Sequence, residues 1–179
     1  MLSLLVCVAL AAPPGPADLI KDHYARIQAL LEKGAPPDAV AAGVGAALDA
    51  LVDFPELGRL TMAQHWPALS PRDRARFLVA FTALVKRQFA ARVLSGRDLK
   101  LQVGGEEKRG ESLHVSTTLT GRKSTTEIDF VFGKAAGAWK VFDLRIDGIE
   151  QARSWGRSFD RAMRRGGLDE VLARMARKR

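Results

Sequence analysis

Three histidines (His23, His65, His114), one tyrosine (Tyr24) and one cysteine (Cys7) make up the scarce side chains of this sequence that titrate near neutrality or act as nucleophiles. The histidines fall in separate segments, none with a Cys or carboxylate at ligand spacing, which argues against a metal centre. There is no G-x-S-x-G, P-loop or G-x-G-x-x-G sequence, and the "GVG" at 43–45 lies inside a helical pattern. Asp129 and Asp143 fall on the polar side of neighbouring strands with Arg145 nearby, where a solvated ion pair is the expected role. A general acid or base in an apolar pocket needs an ionisable group among apolar neighbours, and the apolar faces offer none. The remaining chemistry is the non-covalent handling of hydrocarbon. In "WKVFDLRIDGI" (139–149) strict alternation puts Phe142, Leu144 and Ile146 on one face and Val141, Asp143 and Arg145 on the other. If protein fills the space opposite that apolar face, the strand is ordinary core. If part of it stays open, the face is the wall of a binding site.

The elements that position this face divide at about residue 99. Before it the apolar period is helical. Asp18 is placed to cap a helix carrying Ile20, Tyr24, Ile27, Leu30 and Leu31, ended by Gly34, and Pro36-Pro37-Asp38 opens an Ala-rich helix with Val40, Val44, Leu48 and Leu51. Pro55, Gly58 and Pro67 imply short helical pieces. Ser70-Pro71 starts a helix to about Ser95 with Phe77, Phe81, Leu84, Val85, Phe89 and Val93 along one side. From Leu99 the period is two, giving strands 99–103, 112–120, 125–132 and 138–147. One face collects Leu99, Leu101, Val103, Leu113, Val115, Leu119, Ile128, Phe130, Phe132, Phe142, Leu144 and Ile146. The reverse is polar apart from Val131 and Val141. After Gly148 a helical period returns, broken at Gly166-Gly167. The expected fold is therefore α+β: a four-stranded antiparallel sheet covered on one face by helices, with N-terminal helices and a C-terminal helical segment.

The composition, 47% hydrophobic in 179 residues, suits one domain, expected over 17–179. The uncharged apolar run 1–12, followed by "APPGPA", fits a signal-peptide core although it has no basic n-region, and it is too short to span a bilayer. Cys7, within that run, is the only cysteine, so no disulfide can form inside the chain. The net charge of +8 concentrates at the C-terminus, where residues 151–179 hold nine basic residues against three acids. Such a segment suits phosphates, anionic headgroups or an acidic protein, or is a solvated Arg-rich face. A basic nucleic-acid-binding module is poorly supported, because Trp155 and Phe159 fall at packed positions and leave nothing for base stacking.

"DFPELGRLTMAQHWPALSPRDRARFLVAFTALVKRQF" (53–89) and "WKVFDLRIDGIEQARSWGRSFDRAMRRGGLDEVLARM" (139–175) together resemble the MlaC-like (toluene-tolerance) periplasmic phospholipid-binding family, auxiliary to ABC transporters. Glu150 and Ser154-Trp155 depart from that family's pattern. The resemblance implies a helix-covered sheet related to nuclear transport factor two-like and cystatin-like folds, with acyl chains held between sheet and helices. It also implies a periplasmic location and carriage of phospholipid between an inner-membrane ABC transporter complex with an MCE-type subunit and an outer-membrane lipoprotein complex. Outer-membrane lipid asymmetry would be maintained in this way, with no enzymatic step and no cofactor besides lipid cargo. The residues expected to line the cavity are Phe54, Leu57, Leu60, Phe77, Phe81, Leu84, Phe89, Val93, Phe130, Phe142, Leu144, Ile146 and Ile149, and two acyl chains would need a pocket near the top of the usual ~300–1,000 Å³ range. The competing class, a small isomerase or hydratase on the same fold, requires an ionisable residue inside that pocket, with Tyr24 the only tyrosine.

Overall fold

The computed structural model describes residues 14–96, 99–121 and 124–177; the expected signal segment with Cys7 lies outside the described residues. Helix α1 (Pro16–Glu32) begins two residues before the expected cap. Gly15 is extended and Pro16 has the fixed φ of a first helical residue, so the helix starts there and Asp18 complements the dipole in its first turn. Gly34, at φ 65°, turns the chain into α2 (Pro37–Leu51). Asp53 caps the short α3 (Phe54–Thr61) by accepting from Glu56 N at 2.9 Å. A 3-10 turn at Trp66–Ala68 leads to α4 (Pro71–Ser95), where the Ser70 hydroxyl accepts from Asp73 N.

The sheet is an antiparallel meander of β1 (Lys100–Arg109), β2 (Ser112–Thr120), β3 (Thr125–Ala135), β4 (Ala138–Ile146) and β5 (Ile149–Glu150), in that spatial order. The fold class is as expected, with five strands instead of four. The fifth arises because the Asp147-Gly148 turn, with both residues at positive φ, folds Ile149 back against Ile146. Helix α5 (Gln151–Arg177) is the last described element, bent where Gly166 and Gly167 leave helical geometry.

One face assignment is corrected. Phe132 pairs with Val141 while its neighbour Val131 pairs with Asp143, so β4 holds one extra residue, a bulge at Phe142. Val141 therefore turns into the core at 2% exposure, and the Phe142 ring lies over Gly133 on the polar side. A Cβ on Gly133 would stand 2.9 Å from that ring.

Packing separates into three clusters. The first joins α3, the N-terminal half of α4 and α5, centred on Phe77, Phe81, Trp155 and Phe159. Phe77 and Phe81 stack at 5.3 Å between centroids, and Phe81 meets Trp155 edge-on at 5.2 Å. The second holds Val115, Phe132, Val141 and Leu144 of the sheet with Ile20 of α1. The third joins α1, α2 and the C-terminal half of α4 through Val40, Val44 and Ala90. Phe89 packs against all three.

Candidate functional site

Where these clusters meet, the packing is incomplete. A cavity of about 180 Å³ lies between the sheet's apolar face and α1, α2 and the last turns of α4. The sheet contributes Leu101, Leu119, Ile128, Phe130, Leu144 and Ile146, preceded by Leu99. Opposite them stand Ile20, Ile27 and Leu31 of α1, Val44, Ala47, Leu48 and Leu51 of α2, and Phe89 and Val93 of α4. A second void of about 30 Å³ shares Leu48, Leu51, Phe89, Phe130 and Leu144 and reaches toward Trp155. Space is left unfilled here because the side chains of α2 are mostly short, Ala and Gly, and because Ile27 and Leu31 also pack against the α2–α4 cluster.

Polar groups on the wall are few, and most are occupied. Tyr24 Oη donates to Leu99 O at 2.8 Å and accepts from Leu101 N at 3.0 Å and from Gln28 Nε2 at 2.6 Å, tying α1 to the start of β1. Gln28 Nε2 also reaches Leu99 O at 2.9 Å. Burial, then Arg26, hold the His23 imidazole below its ordinary value, so it is neutral at pH 7. Arg92 stands exposed at the rim.

Of the thirteen residues expected to form one lining, Phe89, Val93, Phe130, Leu144 and Ile146 come together here. Phe54, Leu57, Phe77, Phe81 and Leu84 are in the first cluster, with Leu60 packed on its edge; Leu57 touches only the 30 Å³ void. Phe142 is displaced by its bulge, and Ile149 points outward at 54% exposure. The error lay in giving all of α4 to the sheet. The 25-residue helix outruns the sheet, and its aromatic N-terminal half is covered by α3 and α5 instead. The linings from α1 and α2 are not in the expected set: their helical spacing shows that each helix has an apolar side but not that this side faces the sheet.

Elsewhere the described residues hold no group of three or more side chains suited to a metal. Two larger concavities, about 660 and 460 Å³, are open grooves with charged linings. Ser112, His114 and Asp129 form a line, with Ser112 Oγ 3.2 Å from His114 Nε2 and His114 Nδ1 3.0 Å from Asp129 Oδ2. The one hydroxyl hydrogen of Ser112 is taken by Arg109 O at 2.8 Å, and His114 is only 5% exposed. The line therefore packs the polar face and activates no nucleophile.

The profile of the MlaC protein family matches residues 18–177, nearly the whole described chain. The chain belongs to the MlaC family. Among curated proteins none matches. The solved structure of the phospholipid-binding protein from Ralstonia solanacearum, in complex with a phospholipid, superposes with a TM-score of 0.79 at 17% identity, covering 91% of this chain and 96% of that one. At that identity the likeness is one of fold. MlaC membership thus fits the α+β architecture and the resemblance carried by 53–89 and 139–175. Among the described residues no helix is long and apolar enough to cross a membrane.

Proposed function

We propose that this MlaC-family chain is a periplasmic phospholipid-binding shuttle that takes an acyl tail into the cavity between the sheet and α1, α2 and α4. The observation that carries this reading is a partly open apolar cavity covered by three helices on one face of a sheet, its wall polar groups hydrogen-bonded or uncharged apart from Arg92 at the rim. At about 0.8 kcal/mol per CH₂, exposing two tails of ~16 carbons to water costs on the order of 25 kcal/mol, so unaided transfer is negligible. A cavity that imitates the bilayer interior makes loading and unloading nearly balanced exchanges, with no bond made or broken. The cavity as it stands is smaller than the ~300–1,000 Å³ usual for ligand sites. It receives part of one tail, and α1 and α2 must yield for more. The role between an inner-membrane ABC transporter complex with an MCE-type subunit and an outer-membrane lipoprotein complex, in the service of lipid asymmetry, is proposed with it. The enzyme alternative has less support, since the Tyr24 hydroxyl is committed to β1.

Native mass spectrometry of protein purified from bacteria tests the proposal. Phospholipid should be retained, and delipidated protein should take it from vesicles. A chain isolated empty that stays empty with vesicles refutes it.

A further inference from the structure

The C-terminal arginines, left without a role by the cavity, are sorted to one side of α5. At 100° per residue, Arg153, Arg157, Arg161 and Arg165 fall within an arc of roughly 120°, and Ala152, Trp155, Phe159 and Ala162 are buried on the other side. All four arginines are exposed, and no carboxylate among the described residues forms an ion pair with them. The nearby acids are occupied: Asp160 by Arg164 and His65, Glu150 by Arg145 at 3.1 Å, and Asp147 by Glu127 N at 2.9 Å. Arg153 to Arg165 spans about 18 Å of helix. Directly before this helix stands Ile149, 54% exposed and one of only two large exposed hydrophobic residues among those described. Its strand partner is Ile146, which lines the cavity.

We propose that Ile149 and the arginine stripe of α5 dock the protein on a bilayer bearing anionic headgroups, setting the Ile146 side of the cavity against the membrane. An isolated cationic stripe would suit any polyanion. The apolar side chain at its head, joined through one strand pair to the lipid cavity, selects a surface that offers phosphates with hydrocarbon beneath them. Nucleic acid offers no use for Ile149, and the aromatic residues of α5 that could stack on bases are buried. The inference rests on the carrier reading for its purpose but is measured separately from it.

Co-sedimentation with vesicles of pure phosphatidylcholine, and of phosphatidylcholine with about 30 mol% phosphatidylglycerol to supply anionic headgroups, tests it. Binding to the anionic vesicles should be at least about 10-fold stronger. It should fade between 0.1 and 1 M salt as the screening length falls from about 10 to about 3 Å. R153Q/R157Q/R161Q should lose on the order of 100-fold of the binding and I149S a few-fold, with circular dichroism and retained lipid unchanged in both. Equal binding to the two vesicle types, or undiminished binding by the folded triple variant, overturns the docking surface. The salt titration needs no variant, so a variant that fails to fold does not remove the test. Protein that holds lipid yet ignores anionic vesicles defeats this inference alone; protein that docks but never holds lipid defeats the carrier reading alone.

Discussion

Asp143 shows what one residue contributes that alternation could not reveal. Alternation alone predicts a solvated ion pair with Arg145, but Asp143 Oδ1 accepts from Leu144 N at 2.7 Å and from Ala152 N at 3.0 Å, fastening the start of α5 to β4. Burial pushes its carboxyl above the ordinary aspartate value, against the pull of those two N–H donors. A folded-state pKa above the unfolded value gives a contribution fully present below the unfolded pKa of about 3.8 and lost as pH rises through the raised value. Asp143→Asn keeps the acceptor without the charge, so thermal denaturation near pH 7 should show a Tm equal to or above wild type, with a flatter dependence between pH 4 and 7 (the range above the ordinary carboxylate value). Asp143→Ala leaves Ala152 N–H unanswered and should cost about 1–2 kcal/mol. Ala47 tests the void itself. In a filled core Ala47→Phe would cost about 1–3 kcal/mol, whereas beside open space the ring should be accommodated with little change in Tm and a marked loss of bound lipid by mass spectrometry.

Helices show why the architecture was legible and the site only in part. The period change at Leu99, the Ser70-Pro71 start and the Gly-marked ends are local signals, and they placed α4 at Pro71–Ser95 and β2 at Ser112–Thr120. Which half of α4 meets the sheet is decided by where α3 and α5 pack, a long-range matter that periodicity does not encode. The bulge at Phe142 is equally silent, because one added residue inverts a face without altering composition. The division of α4 gives a contrast. Phe81→Ala in the aromatic cluster should cost about 3–5 kcal/mol yet leave the lipid held per folded molecule unchanged, whereas Leu144→Asp should empty the cavity; lipid extraction and unfolding curves together separate the two. Close approach of α3 and α5 depends on Gly156, whose added Cβ would lie 2.8 Å from Thr61 O. Backbone cannot swing aside as a side chain can, so Gly156→Ala should lower stability by about 1–3 kcal/mol in denaturant titration. Tyr24→Phe removes the α1 latch at Leu99 and Leu101, and should speed lipid exchange with vesicles several-fold in a fluorescence transfer assay.

Over the whole molecule, stability and cargo space are kept apart. The aromatic cluster is touched only at its edge, by the 30 Å³ void at Leu57, Val85 and Trp155, and the larger cavity lies where the sheet cluster and the α1–α2–α4 cluster fail to close on each other. Composition and charge set the class and pointed to the basic C-terminus, but the size of the void was beyond them, since it depends on how far two helices stand from a sheet. Phe89 touches every cluster and also walls the void. A tail seated beside it would add a further bridge to those that Phe89, Leu48 and Val52 already make between the units. Calorimetry should then see the stripped chain melt over a broad span, its parts letting go in turn, and the loaded chain melt in a single narrow peak, the passenger acting as mortar.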